Sequence, residues 1–256
     1  MGTRQTKILF FGDSHAHAIK NAIERRQESG NPVNIEAYRL LKIKNDQPFG
    51  DIDLEEFLEK TAALAPEDIV ISAIGGNQHA VFSTIQHPQP FNFQLNSNDF
   101  LENDPETQII PARVLRTHFT AGLAGRDGKT LQAFRASTAA HVIHLMPPPP
   151  KEDNAHILRH HETRFRQENI SQLGVSSPKL RLKFWQLQTS ILRSICDELD
   201  IQTMLPPDQA LTSDGFLKPE YYAGDATHAN TRYGELVLQQ IEMRSKQIAR
   251  EPQRLP

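Results

Sequence analysis

The stretch Lys7–His15 (KILFFGDSH) joins an apolar run to a polar turn near the beginning of the chain. An unbroken apolar run is typical of a strand that is buried on both faces, and Gly12 ends it. From Ser14 onward, apolar residues recur with helical spacing until Gly30. The stretch therefore predicts a strand, a tight turn and a helix, which together begin an α/β sheet.

The rest of the chain repeats this alternation. Four further strands are predicted, at Val33–Leu41, Asp68–Ile74, Ala140–Met146 and Ile201–Leu205. Helices are predicted at Asp53–Ala65, Pro111–Gly125, Thr130–Ala140, Glu152–Gln167, Pro178–Leu199 and Thr231–Ala249. Strands that alternate with helices form a parallel sheet with both faces covered, so we expect an α/β fold.

Length and composition exclude several classes of protein. The 256 residues suit a single domain, and the net charge of −3 argues against a general nucleic-acid surface. No apolar run approaches the ~18 residues of a membrane span. The apolar run after Lys7 is too short for a signal peptide, so we expect a cytoplasmic protein. Cys196 is the only cysteine, which excludes an intrachain disulfide and a cysteine-cluster metal site.

Two segments lack a periodic pattern. Residues 78–108 are rich in Asn, Gln, Phe and Pro and are predicted to form a long active-site loop. Within it, Phe91, Phe93 and Phe100 could form an apolar lid or simply pack onto the domain. Residues 250–256 are predicted to be a disordered tail.

Three polar motifs follow predicted strands or precede the last helix, and ligands in such sheets bind beyond the carboxyl ends of the strands. The first motif is Gly12-Asp13-Ser14-His15. Ser14 could be an ordinary helix cap. It could instead be a nucleophile whose own N–H faces a developing oxyanion.

The second motif is Gly75-Gly76-Asn77-Gln78-His79. It could be a glycine turn with Asn77 in a left-handed conformation. Alternatively, the Asn77 amide could donate a hydrogen bond to an oxyanion while the glycines let the backbone approach a substrate.

The third motif is Asp225-Ala226-Thr227-His228. Asp225 could cap the following helix, with His228 at the surface. The same spacing would also let Asp225 orient the imidazole of His228 while its other nitrogen faces outward.

The order and spacing of the three motifs resemble the SGNH (GDSL-like) hydrolase superfamily. The resemblance spans nearly the whole chain, although about a dozen residues carry it. It implies a three-layer α/β/α fold with a flavodoxin-like parallel sheet of about five strands. It also implies Ser14 as nucleophile, His228 as general base and then acid, and Asp225 as the residue that orients His228.

The same resemblance implies an oxyanion hole made of the Ser14 N–H, the Asn77 side chain and a glycine N–H. Gly50 is the nearest glycine after the second predicted strand, and Asn45-Asp46 is a rival position. Where the superfamily has asparagine followed by aspartate, this chain has Asn77 followed by Gln78. The predicted substrate contacts are Asp13, His15, Gly76 and His79.

A group of histidines offers a metal site as another interpretation. His156, His160 and His161 lie on one predicted helix near Glu162, and the first two have ligand spacing. The residues between them do not form the His-Glu-x-x-His pattern, so a solvated helix face is the favoured interpretation. We therefore predict no metal and no cofactor.

The predicted function is that of a serine esterase, which cleaves O-acyl esters of a small molecule or glycan through an acyl-serine intermediate. An acetyl ester on a carbohydrate is one candidate substrate. The alternatives are an O-acyltransferase with the same triad and a catalytically silent carbohydrate- or acyl-binding module. We predict neither a nucleic-acid partner nor a membrane span, and the sequence leaves the oligomeric state open.

Overall fold

The computed structural model of the protein describes residues 4–44, 47–96, 99 and 105–250. The strands are β1 (Ile8–Gly12), β2 (Ile35–Arg39), β3 (Lys42–Lys44), β4 (Gln47–Phe49), β5 (Ile69–Ala73), β6 (Phe91–Asn92), β7 (Gln108–Ile109), β8 (His141–Leu145) and β9 (Gln202–Met204). The helices are α1 (Ala16–Glu28), α2 (Leu54–Ala62), α3 (Gln78–Ser83), α4 (Ala112–Leu123), α5 (Lys129–Ser137), α6 (Asn154–Arg159), α7 (Thr163–Gln167), α8 (Ile170–Leu173), α9 (Pro178–Glu198) and α10 (Thr231–Ile248).

Five of the strands form one parallel sheet in the order β2-β1-β5-β8-β9. The predicted parallel sheet of about five strands is therefore confirmed. Gly12 at the end of β1 is in register with Ala73 at the end of β5. Because parallel strands leave a sheet at the same edge, the segments after Gly12 and Ala73 emerge side by side.

The alternation of side chains along β1 divides the core between the two faces of the sheet. Ile8 and Phe10 belong to a cluster with apolar residues of α1 and α10. Leu9 and Phe11 belong to another cluster with residues of α2 and α5. Helices therefore cover both faces, which gives the three-layer α/β/α arrangement.

The helices α1 and α10 pack closely at their first turns. A Cβ atom at Gly234 would lie 2.1 Å from the backbone oxygen of Ala18, so only glycine permits this contact. Tyr233 and Val237 on either side are buried in the core. The close contact fixes the start of α10 relative to the start of α1.

The expectation of a loop over all of residues 78–108 is wrong, because Gln78–Ser83 form α3 and two short strands follow. Of the two alternatives left open for the phenylalanines, packing onto the domain holds for Phe93, which is fully buried in one cluster with Phe119 and Phe184. Phe100 lies outside the described residues, as do Asn45-Asp46 and residues 251–256 of the predicted tail.

The predicted helix at Glu152–Gln167 is also wrong, since it is divided into α6 and α7. Glu162 lies in the break with an extended backbone (φ −69°, ψ 156°). Its carboxylate accepts hydrogen bonds from Ala226 and Thr227 in the segment before α10. Across the residues that are described, no helix combines the length and apolar character needed to cross a membrane.

Candidate active site

Ser14 lies in the turn between β1 and α1. The N–H of Asp13 still donates to Ala73 O at 3.2 Å, and α1 begins only at Ala16, with His15 in the capping position. The side chain of His15 makes no capping hydrogen bond. The Ser14 hydroxyl is buried and makes no hydrogen bond with any described residue. The capping role that the sequence allowed for Ser14 is therefore wrong, and its Oγ is left unpartnered.

Asp225 and His228 form a hydrogen-bonded pair in the segment before α10. Oδ1 of Asp225 accepts from the backbone N–H of His228 at 2.8 Å, and Oδ2 lies 2.8 Å from Nδ1 of the same residue. The helix cap is Asn230, so a capping role for Asp225 is also wrong. Nε2 of His228 is buried and has no partner within the described part of the chain.

The pKa values of Asp225 and His228 are shifted in opposite directions. Burial acts to lower the pKa of His228, but the hydrogen bond and charge of Asp225, aided by Glu162, outweigh it, and the pKa is raised. Burial acts to raise the pKa of Asp225, but the hydrogen bonds and charge of His228 hold that pKa well below its ordinary value. The carboxylate is therefore ionised and stabilises a proton on the imidazole.

Glu162 places a second carboxylate beside His228. Its Oε1 accepts from Thr227 Oγ1 at 2.7 Å and lies 3.6 Å from Nδ1 of His228. Ligand atoms of Glu162, Asp225 and His228 lie within 4.8 Å of one another, so these residues could hold a metal ion. However, Nδ1 of His228 is already bonded to Asp225, and a metal at that nitrogen would break the bond.

Asn77 follows β5 at the same edge of the sheet. Its φ is −106°, so the predicted left-handed alternative is wrong, and Gly75 has the positive φ of +73°. Gln188 of α9 holds this loop at two points, since it accepts from the N–H of His79 at 2.6 Å and donates to Gly75 O at 2.9 Å. The Asn77 side chain makes no capping bond to α3.

A cleft of about 410 Å³ brings the three motifs together. Ser14, Asn77 and His228 all line it. The other lining residues are Lys42, Ile43, Phe49, Ala80, Val81, Glu162, Arg164, Phe165 and Thr227. A hydroxyl that shares a cleft with a carboxylate-bound imidazole can be activated as a nucleophile.

The predicted substrate contacts lie outside the lining of this cleft. Asp13 is buried, and its Oδ1 accepts from the N–H of His15 at 3.2 Å. His15 and Gly76 border a small neighbouring cavity, while His79 borders another. Burial, aided by the nearby charge of His228, lowers the pKa of His15 to about 4. None of the four lines the cleft, so their contact with substrate remains a prediction.

Gly50 also lies apart from the lining of the cleft. Its nearest neighbours are the backbone atoms of Leu40 and Leu41. Its role as an oxyanion donor therefore remains a prediction. The hairpin of β3 and β4, which precedes Gly50, contributes Lys42, Ile43 and Phe49 to the cleft instead.

Two buried cations that the sequence analysis missed support the Asp225 segment. Lys151 is 1% exposed, and its ammonium donates to the backbone oxygens of Ala223, at 2.8 Å, and Asp225. Burial lowers the pKa of Lys151 to about 8. Arg181 in turn donates to the backbone oxygens of Lys151, at 2.9 Å, and Ser176. The sequence contains no local signal for either role, because the partners are remote backbone oxygens.

The rings of His156 and His160 lie 4.8 Å apart, but with His161 they do not make up a group suited to a metal among the described residues. His156 Nε2 lies 3.2 Å from Ala223 O, while His161 Nδ1 lies 3.1 Å from Leu158 O. His160 terminates α6. Over the ranges that the structure describes, the group suited to a metal is the one at Glu162, not this one.

No protein-family model and no curated protein sequence matches this chain. Among solved structures, it is similar to a GDSL-like lipase from Bacteroides thetaiotaomicron, with 11% identity and a TM-score of 0.48 over 94% of this chain and 88% of that chain. An extracellular lipase from Streptomyces rimosus has 12% identity and a TM-score of 0.48 over 93% and 99%, respectively. A carbohydrate acetylesterase from Sinorhizobium meliloti has 12% identity and a TM-score of 0.45 over 96% and 99%.

Proposed function

We propose that this protein is a serine esterase of the SGNH type, which hydrolyses O-acyl esters through an acyl-serine intermediate. One observation carries the proposal. Ser14 Oγ and His228 Nε2 are both buried, both unpartnered within the described residues, and both at the same cleft, while Asp225 holds Nδ1 of His228 at 2.8 Å. Buried polar atoms without partners are rare and indicate a role outside folding.

In the first half of the reaction, Ser14 Oγ attacks the carbonyl carbon of the ester while Nε2 of His228 takes the hydroxyl proton. Asp225 accepts from Nδ1 and stabilises the imidazolium that forms. The tetrahedral intermediate then collapses, the C–O bond to the alcohol breaks, and His228 returns its proton to the departing oxygen. The acyl group remains on Ser14.

In the second half, water replaces the alcohol. His228 takes a proton from water, the hydroxide attacks the acyl carbon, and the proton passes to Ser14 Oγ as the carboxylic acid leaves. The cleft supports hydrolysis over acyl transfer because it is open to solvent. Arg164 at its rim, for example, is 56% exposed.

The developing negative charge on the carbonyl oxygen needs hydrogen-bond donors. The Asn77 amide lines the cleft, and the N–H of Ser14 donates to no other group within the described part of the chain. Ser14 also precedes the N-terminus of α1, where the helix dipole favours negative charge. We assign both groups to the oxyanion hole.

The test uses the purified full chain and p-nitrophenyl acyl esters. Wild type should release p-nitrophenol, Ser14→Ala should not, and both should unfold at the same temperature. A fluorophosphonate probe should label wild type at Ser14. Unchanged turnover by Ser14→Ala would overturn the proposal. Labelling and acyl-enzyme formation that yield product only with an alcohol acceptor would point to the acyltransferase, and absence of labelling to the binding module.

A further inference from the structure

The mouth of the cleft carries apolar side chains that face water. Ile43 is 70% exposed and Phe49 is 55% exposed, which places them among the most exposed large apolar side chains of the described residues. Both line the cleft that contains Ser14. Scattered exposed apolar residues are normal, but two that flank a reactive hydroxyl indicate a binding surface for an apolar group.

The apolar surface continues across the cleft. Ala80 and Val81 of α3 and Phe165 of α7 line the cleft together with the β3–β4 hairpin. The ring of Phe49 is also held in place, because the guanidinium of Arg39 lies 4.4 Å from its centroid. A side chain that is ordered before binding loses less conformational entropy when a ligand covers it.

Of the charged side chains that line the cleft, Arg164 and Glu162 are engaged by the protein, while Lys42 is exposed to solvent. Arg164 donates to Glu168 at 2.8 Å. Glu162 accepts from Thr227 Oγ1 at 2.7 Å and from the N–H of Ala226 at 3.3 Å. A sugar ring, whose hydroxyls each need a partner, therefore finds Arg164 and Glu162 already committed and has Lys42 as the remaining charged partner at the mouth.

We propose that the cleft binds its ester through an apolar group, an aliphatic chain or an aromatic ring, that contacts Ile43 and Phe49. The inference rests on the proposed function of Ser14, and it favours such esters over acetylated carbohydrates. The occupant is a part of the substrate, not a protein or a membrane, because the apolar surface is continuous with the lining around Ser14.

The apolar group can belong to the acyl part or to the alcohol part, and two series of soluble, monomeric esters distinguish them. In the first, p-nitrophenyl esters run from acetate to octanoate. In the second, acetate esters of alcohols run from ethanol to octanol. In one series or both, kcat/KM of wild type should rise roughly tenfold from the shortest to the longest ester.

The variant Ile43→Ser/Phe49→Ser should lower kcat/KM for the longest ester about fivefold while changing that for the shortest by less than about twofold. Val114→Ser is the matched control, since Val114 is 53% exposed on α4 and is not part of the cleft lining. It should change neither value. Thermal unfolding of all three proteins should coincide, because the replaced side chains are exposed.

The possible failures are distinct. If no ester is hydrolysed in a Ser14-dependent manner, the proposed function fails and this inference falls with it. If hydrolysis depends on Ser14 but neither series shows a preference for length, or the double variant behaves as wild type, only this inference is overturned. Faster hydrolysis of acetylated sugars than of octanoate overturns it too, as does activity toward long esters that requires phosphatidylcholine vesicles.

Discussion

The ammonium nitrogen of Lys151 lies 3.6 Å from Oδ1 of Asp225, and Oε1 of Glu162 lies 3.6 Å from Nδ1 of His228. The hydrogen-bonded pair of Asp225 and His228 thus has a buried cation on one side and a second carboxylate on the other. A cation disfavours protonation of the imidazole and an anion favours it, so the two neighbours act in opposite directions.

Glu162→Gln removes the anion while keeping an oxygen that can accept from Thr227. The pKa of His228 should fall, because Glu162 is one of the charges that raise it. His228 must be neutral to act as the general base, so kcat/KM falls as the pH drops below the pKa of His228. Because that pKa is lower in Glu162→Gln, the variant should retain activity to lower pH than wild type. Glu168→Gln, which removes the exposed partner of Arg164, is the control and should leave the profile unchanged. If the acid limb of kcat/KM in Glu162→Gln does not move, the assignment of His228 as the general base is contradicted.

Lys151→Met removes the cation and should move the acid limb of kcat/KM to higher pH, opposite to Glu162→Gln. The Asp225 segment also loses two hydrogen bonds to its backbone oxygens, so kcat should fall about tenfold. The free energy of unfolding should also fall, because the substitution leaves Asp225 without its buried cation and two carbonyl oxygens without their donor. The pH profile separates the two roles, since a purely structural role would lower stability and leave that profile in place.

Asn77→Ala should lower kcat on the order of a hundredfold, which is about 3 kcal/mol of transition-state stabilisation. The amide is needed where charge develops, so KM should change much less than kcat. Asn31→Ala, at an exposed position after α1, is the control. An effect on KM alone would remove Asn77 from the oxyanion hole.

Two buried histidines should make the fold sensitive to acid. Burial lowers the pKa of His79 to about 3 and that of His144 to about 4, against 6.5 for an ordinary histidine. Below pH 6.5 the unfolded chain therefore binds protons that the folded chain excludes. The free energy of unfolding should fall by about 1.4 kcal/mol per histidine for each pH unit between 6.5 and 4.

Urea unfolding at several pH values measures this loss. His144→Phe should reduce the slope against pH by about one proton, because one buried titrating group is gone. His118→Gln, at an exposed position of α4, should keep the slope of wild type. Equal slopes for wild type and His144→Phe would show that His144 does not titrate as its burial requires.

The sheet and the placement of its motifs were predictable because the signals are local. The apolar runs at β1 and β5 predict buried strands, and parallel strands must release Ser14 and Asn77 at one edge. The β3–β4 hairpin was missed because Lys42-Ile43-Lys44 is too short and too charged to stand out as a strand. The role of Lys151 was hidden for a different reason, since remote carbonyl oxygens accept hydrogen bonds from its buried ammonium and the sequence does not show them.

The contact between Gly234 and Ala18 joins the two ends of the reactive centre, because Ser14 precedes α1 and His228 precedes α10. A methyl group at position 234 would push α1 and α10 apart, and with them the segments that carry the hydroxyl and the imidazole. The alignment of Ser14 and His228 therefore depends on the absence of a side chain at Gly234. This glycine is not among the reacting residues, so inspection of those residues alone would not select it.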